Sequence, residues 1–379
     1  MISSINAATT TDFEKTISDY HQHYLTSATF LIAKEDHILF KQNVGLANYV
    51  TQQPFTDNTP FPVASITKQF TAAAILLLQE QNKLDLHTPI IHYLKASHPI
   101  WQGKVPDWAH EITIHHLLTH SSGLVDYSDE KWQNTFAISD QELVPFIITH
   151  IKNQPVRFKA GEKFEYNNTG YLLLSEIIET VSPEKSLSLF LANHIFQPLK
   201  MNHTYLPTFK EERAYIANVI SGKHPIVRHI ANLSNPKHPP QPMNELHLEV
   251  PLQGGGALFS TTQDLLKWTQ GLFGGKLLSP QSLKLMVTPH ISGEMSFFGP
   301  IQYGYGLFVN NDNPNDIIYF HGGWIQGIRG QLSYAPQSKI SVICLSNLSP
   351  DESQDEQAMK DQINSFLNLA NDLQAIAAS

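Results

Sequence analysis

Apolar side chains recur along this chain in two periods, and the change between them divides it. Phe13, Ile17, Tyr20 and Tyr24 stand three or four apart, the spacing of one helix face, and predict an amphipathic helix over residues 11–25. The apolar runs 28–33 and 38–44, separated by Glu35 and Asp36, read as a β-hairpin. After a proline-rich stretch at 54–62, a helical pattern runs over 65–81, with further helices over 140–151 and 169–181. In the last of these Tyr171, Leu174, Ile178 and Val181 share a face. Residues 222–252 carry Pro225, Pro236, Pro239, Pro240, Pro242 and Pro251 and read as irregular, either a surface connection or a loop bordering a site. Four short apolar runs at 306–310, 317–320, 331–335 and 340–345 then read as strands. Met359, Ile363, Phe366, Ala370 and Leu373 line a closing helix over 353–376. Helix and hairpin first, helices in the middle, strands and a helix last: the order predicts an α+β fold. Residues 1–75 and 253–379 would form an α/β lobe with an antiparallel sheet flanked by the first and last helices. A mostly helical lobe would span 76–252.

With 41% hydrophobic and 16% charged residues, the 379-residue chain has enough apolar material for a large core and is not a disordered polyelectrolyte. A net charge of −9 argues against nucleic-acid partners, which require a basic face. Cys344, the one cysteine, excludes an internal disulfide; within an apolar run it reads as an inert core thiol. No stretch approaches the ~20 apolar residues of a membrane span. The first twelve residues lack the basic-then-apolar pattern of a signal peptide, so the sequence reads as cytoplasmic; a periplasmic or secreted chain already stripped of a leader would read alike. Oligomeric state has no signature. Among 19 histidines, His115, His116 and His120 lie close together, but the glutamate of a His-Glu-x-x-His zinc helix is missing and a structural role fits them better.

Candidate chemistry begins at Ser65-Ile66-Thr67-Lys68. A serine hydroxyl becomes a nucleophile only when a base takes its proton. Residues i and i+3 share a helix face, so Lys68 can reach Ser65, and a helix N-terminus favours developing negative charge. Alone, the pattern also fits a helix start with a solvated lysine. A second element, Tyr166-Asn167-Asn168, precedes the helix at 169. A lysine beside Tyr166 would depress the phenol pKa, and Asn168 can donate to a substrate carbonyl or meet the lysine. It fits an asparagine-rich helix cap as well. The third, His321-Gly322-Gly323, follows an apolar strand; glycines there let a ligand approach the backbone, or simply make a tight turn.

Taken together and in this order, Ser-x-x-Lys, Tyr-x-Asn and His-x-Gly resemble the serine beta-lactamase-related superfamily. That group includes class C beta-lactamases, D-Ala-D-Ala carboxypeptidases, D-aminopeptidases and beta-lactamase-like esterases. The likeness extends to Phe61-Pro62-Val63-Ala64 before the serine, Leu84-Asp85-Leu86-His87, Leu117-Leu118-Thr119-His120-Ser121-Ser122-Gly123-Leu124, Gly254-Gly255-Gly256-Ala257-Leu258 and Leu345-Ser346-Asn347, about residues 10–375 in all. The resemblance implies a beta-lactamase/transpeptidase-like fold and an acyl-enzyme on Ser65, with Lys68 and Tyr166 sharing the proton work and the acylation base left open between them. It further implies that Asn168 orients the substrate and that the His321–Gly323 strand lies along it. The backbone N–H groups of Ser65 and Trp324 would form an oxyanion hole, and neither a metal nor an organic cofactor is required.

One departure matters. Typical beta-lactamases carry Lys-Thr-Gly where this chain has His321-Gly322-Gly323, and a histidine is largely neutral near pH 7. A fixed cation for a beta-lactam carboxylate is missing. The expectation is therefore a hydrolase of esters, small amides or peptides in preference to a dedicated beta-lactamase. The bulky Trp324 would narrow the site. An acyltransferase of the same fold, or a non-catalytic scaffold or binding protein, are the other readings.

Overall fold

The computed structural model describes residues 10–23, 27–129, 140–208, 211, 229–231, 241–242, 253–295, 299–312, 317–325, 327–350 and 356–378. Its frame is an eight-stranded sheet, antiparallel throughout. In chain order the strands are β1 (Ala28–Lys34), β2 (His37–Val44), β3 (Ile291–Met295), β4 (Gly299–Tyr303), β5 (Phe308–Asn310), β6 (Ile318–Ile325), β7 (Ile328–Ala335) and β8 (Ile340–Ser346). Across the sheet the order is β2-β1-β8-β7-β6-β5-β4-β3. The first strand thus lies one in from an edge, between β2 and β8, and pairs with the last, from Ala28 opposite Ser346 to Lys34 opposite Ile340.

Alternation along β1 explains the layers. Phe30 and Ile32 face one side, where Phe13 and Ile17 of helix α1 (Thr10–His23) and Phe366, Leu369 and Leu373 of the C-terminal helix (Glu356–Ala378) close a first core. The Tyr20 and Phe366 rings meet edge-on at 6.4 Å, so the N- and C-terminal helices touch. Leu31 and Ala33 face the other side and join the main core, built on helix α2 (Thr67–Glu80), α3 (Ile114–Leu118), α4 (Asp140–Ile151), α5 (Asn168–Val181) and α6 (Thr262–Phe273). Phe70 of α2 stacks on Trp268 of α6 at 4.0 Å. Cys344 is buried, and burial raises its thiol pKa, as expected of an inert core residue.

The sequence expectations place the hairpin, the helices and the last strands within a few residues of where they lie. Two differences bear on the site. The strand that was expected to end at Phe320 continues through His321-Gly322-Gly323 to Ile325, so these glycines form no turn; they pair with Leu332, Gln331 and Gly330 of β7. Strands β3 and β4 were not anticipated. Their sequences, Ile-Ser-Gly-Glu-Met and Gly-Pro-Ile-Gln-Tyr, interrupt the apolar alternation with glycine and proline, as edge positions allow. Most of the proline-rich segment 222–252 lies outside the described residues, as does Tyr24; His229–Ala231 and Gln241–Pro242 are short strands. No helix among the described residues is long and apolar enough to cross a membrane.

Candidate active site

The nucleophile turn is built by a tight reversal. Phe61–Pro62 pairs with Phe259–Ser260, and Val63 N–H donates to Leu258 O at 2.9 Å. Ala64 then adopts φ +46°, a left-handed conformation that costs a side-chain-bearing residue roughly 1–2 kcal/mol. Ala64–Ile66 forms a single 3₁₀ turn and α2 starts at Thr67, so Ser65 sits just ahead of the helix and not within it. The i,i+3 relation still holds: Lys68 Nζ lies 3.1 Å from Ser65 Oγ.

Lys68 is fully buried, and its other two partners are fixed acceptors. Nζ donates to Asn168 Oδ1 at 2.8 Å and to the Gly255 carbonyl at 2.7 Å. Loss of solvent pulls its pKa from 10.5 to about 7, although the Asp126 carboxylate works in the opposite direction. Gly255 reaches the lysine because Gly254 beside it has no side chain; a Cβ there would stand 2.5 Å from Ser175 Oγ and 2.6 Å from Thr71 Oγ1.

Tyr166, Asn167 and Asn168 are held by the segment Thr119–Asp126. Glu165 N–H donates to His120 O, Asn167 Nδ2 to Leu124 O, and Asn167 Oδ1 caps α5 by accepting from Gly170 N–H at 2.8 Å. Tyr166 bonds to Ser65 through its phenol, and Lys68 Nζ stands over its ring, 4.8 Å from the centroid. The expectation that lysine would depress this phenol does not hold here. Burial dominates and drives the Tyr166 pKa well above the ordinary value, with Tyr171 and Asp126 adding to the rise and the Ser65 bond opposing it. Tyr166 is therefore a neutral hydroxyl.

His321 lies behind this group in a chain of hydrogen bonds whose direction its own end dictates. His120 Nδ1 faces both the Asn167 N–H, at 3.0 Å, and the Asn167 carbonyl, at 3.1 Å, and its Nε2 lies 3.2 Å from Tyr303 Oη. At the far end the Gly322 carbonyl can only accept, so His321 Nδ1 donates to it at 2.6 Å. His321 Nε2 then receives the Tyr303 proton at 3.1 Å. Burial, then the nearby Lys68 charge, push the His321 pKa to about 3, and burial holds His120 well below 6.5. Both imidazoles are neutral. Among the described residues no group of three His, Cys, Asp or Glu side chains is arranged to hold a metal. His116 instead closes the capping box of α3, and His115 bonds Tyr305 Oη at 2.8 Å.

These neutral histidines carry a cost in acid. A histidine whose pKa is lowered by folding leaves the unfolded chain to bind protons first, so stability falls as pH drops below about 6.5 toward the folded values. His321, at about 3, accounts for up to about 2 kcal/mol by pH 5, and the buried His120 acts in the same direction. His115, lowered to about 4 by burial and by His290, His116 and His87, acts in the same direction. Glu176, whose carboxyl pKa burial raises to about 8, acts in the opposite direction over this window. In Glu176→Gln we expect the thermal midpoint to drop steadily from pH 7 to pH 5, and a flat profile there would contradict these protonation states.

The β6 edge completes the site. Strand β5 covers β6 only over Ile318–Phe320, so from His321 onward that edge has no strand partner among the described residues. The nucleophile turn lies against it: a Cβ on Gly323 would sit 2.2 Å from Val63 O and 3.3 Å from Ala64 Cβ. His321 itself is buried and offers a substrate only its backbone, whereas Trp324 stands 38% exposed. Ser65, Lys68, Tyr166, Asn168, His321 and Gly323 thus converge, and Trp324 follows Gly323 on the same strand. Sequence reasoning passed over Asp126, Tyr171 and Tyr303, and also the Gly255 carbonyl. Their signal was weak, since none belongs to a motif that carries chemistry by itself.

The beta-lactamase family model matches residues 13–363. The chain belongs to the beta-lactamase family. Penicillin-binding protein 4* of Bacillus subtilis (strain 168) is 28% identical over 361 residues, covering 91% of this chain and 73% of that protein. Among solved structures, the octameric penicillin-binding protein homologue from Pyrococcus abyssi superposes with a TM-score of 0.72 at 28% identity, over 89% of this chain and 73% of that one. D-amino acid amidase from Ochrobactrum anthropi SV3, complexed with L-phenylalanine amide, gives 0.72 over 96% and 98% of the two chains; at 22% identity it shows the shared fold. This beta-lactamase-family chain therefore has the antiparallel α+β architecture of a family of serine hydrolases.

Proposed function

We propose that the chain is a serine acyl hydrolase that forms an acyl-enzyme on Ser65, acts on uncharged esters or small amides and peptides, and is not a dedicated beta-lactamase. The observation that carries this reading is the surroundings of Lys68. A neutral amine has two N–H bonds and one lone pair. Asn168 Oδ1 and the Gly255 carbonyl can only accept and take both N–H bonds, so the lone pair is left to Ser65 Oγ. With a pKa of about 7 in place of 10.5, the fraction of Lys68 in that form at neutral pH is raised by about three orders of magnitude.

The Ser65 proton passes to Lys68 Nζ as Oγ bonds to the acyl carbon. The carbonyl oxygen draws on the Ser65 and Trp324 backbone N–H groups, each donor contributing roughly 3 kcal/mol in sites of this kind. On collapse the leaving group takes its proton from within the Lys68–Tyr166 pair, which returns to its starting state. Water repeats the sequence to release the acid.

The choice of uncharged substrates rests on His321. Held neutral by burial and by its Tyr303 donor, it supplies no positive charge to a substrate carboxylate. A fluorophosphonate probe tests the core of the reading: one adduct on Ser65 is expected, formed at a rate that climbs with pH through about 7 and then levels off. Folded protein without an adduct would favour a scaffold or binding role.

A further inference from the structure

Asp126 is a buried carboxylate that the acyl-transfer scheme does not use. All of its contacts are made by donors. Oδ2 accepts from Asn168 N–H at 2.6 Å and from Asn168 Nδ2 at 3.1 Å. Oδ1 accepts from Ser128 N–H and Ser128 Oγ, both at 2.8 Å. Burial raises its pKa, but the Ser128 and Asn168 backbone N–H groups can only donate and each is matched to a different carboxylate oxygen, which favours the charged form.

A carboxamide can turn about its last bond and exchange oxygen for nitrogen. At Asn168 that choice decides what Lys68 meets. The Asn168 Nδ2 group is engaged by Asp126 and, at 3.3 Å, by Ser128 Oγ, which leaves Oδ1 to face Lys68 Nζ at 2.8 Å. The reverse orientation would set an NH2 against the lysine, where it could donate only to the amine's own lone pair, and the amine would lose one of the two acceptors that aim that lone pair at Ser65.

We propose that Asp126 is a positioning residue: by fixing the Asn168 carboxamide it points the Lys68 amine at Ser65. The inference rests on the Ser65 reading above. Asparagine at 126 is close in shape but has a single acceptor oxygen, whereas two backbone N–H groups, of Asn168 and Ser128, converge on the two carboxylate oxygens. One of them must then meet an NH2. Substitution also removes the Asp126 carboxylate charge that acts on Lys68. The other groups facing that amine are the Tyr166 and Tyr171 rings and the neutral His120 and His321, with Asp129, paired to Arg157, on the outer side of Asp126.

The test is the rate of fluorophosphonate addition to Ser65, followed by intact-protein mass spectrometry from pH 5 to 9, for the parent protein and for Asp126→Asn, with thermal unfolding alongside. Expected is a 10- to 100-fold slower addition at pH 8 and an acid limb moved to lower pH, because the charge that favours the Lys68 ammonium is gone. A role confined to capping α5 would lower stability and leave the rate at pH 8 unchanged. A folded Asp126→Asn variant with the parent rate and profile overturns the inference while leaving the Ser65 reading intact. A parent protein that takes no adduct overturns both. Should Asp126→Asn fail to fold, Asp126→Glu decides: its longer arm keeps the charge but displaces Asn168, so slower addition at an unmoved acid limb supports the inference, and addition at the parent rate ends it.

Discussion

Ser65→Ala is expected to abolish both probe addition and turnover, with kcat/KM falling by at least about 10³-fold while the thermal midpoint shifts little. Removing the hydroxyl takes away the atom that becomes acylated, and no neighbour replaces it. Ser121 and Ser122, the other serines of the family-like segments, are buried, and Ser121 Oγ is bonded to Thr119 Oγ1 at 2.8 Å. Stability is spared because Ser65 is only partly buried and its hydroxyl supports no backbone group that the structure records. Lys68 keeps both carbonyl acceptors, and its neutral lone pair is left without a partner. Turnover surviving in this variant at more than a few per cent would remove Ser65 from the chemistry. So would adduct formation at another residue in the parent protein.

The second large effect is at Gly323. Its backbone lies so close to the nucleophile turn that a single methyl group would occupy the space of Val63 O, 2.2 Å away, and crowd Ala64 Cβ. Neither neighbour is the flexible end of a side chain. The Val63 backbone is tied to Leu258, and β6 is tied to β7 on its far side. Gly323→Ala should therefore part the strand from the turn by a fraction of an ångström or more. Overpacking of this kind costs about 1–3 kcal/mol in stability. The kinetic effect is larger in proportion: shifting Trp324 N–H relative to Ser65 misplaces the proposed oxyanion donors, for which about 10²-fold in kcat is expected. Unfolding measurements and kinetics on the same preparation separate the two. A variant that loses stability and keeps its kcat would mean that this edge does not line the reaction path.

Gly323 also illustrates how far sequence could go. The motifs named the residues that converge, because Ser-x-x-Lys is read through helix geometry and the late strand through its apolar run. They did not give the state of those residues. From the order of the chain, a lysine near Tyr166 should have lowered its pKa; in the folded site the lysine stands over the ring face, and burial decides the direction. Asp126 was illegible for a related reason. Its importance lies in which end of the Asn168 amide it holds, and that depends on a contact across 42 positions. The fold was more legible where apolar periodicity is strong, in β1, β8 and α5, than in β3 and β4, where glycine and proline break the pattern at the sheet edge.

The place of β1 has a consequence for how the protein is made. The strand emerges from the ribosome about 300 residues before the partner that fills its second edge, Ile340–Ser346. At about 5–20 residues per second, the intervening ~300 residues take roughly 15–60 s. Until then one edge of β1 is unpaired and Phe30 and Ile32 lack the C-terminal helix that completes their cover, and an open strand edge is a template for wrong pairing. Nascent chains should hence be unusually dependent on holdase chaperones. Stalling translation ahead of residue 340 should leave a hairpin that proteases cut readily, whereas release of the full chain closes the sheet in one late step.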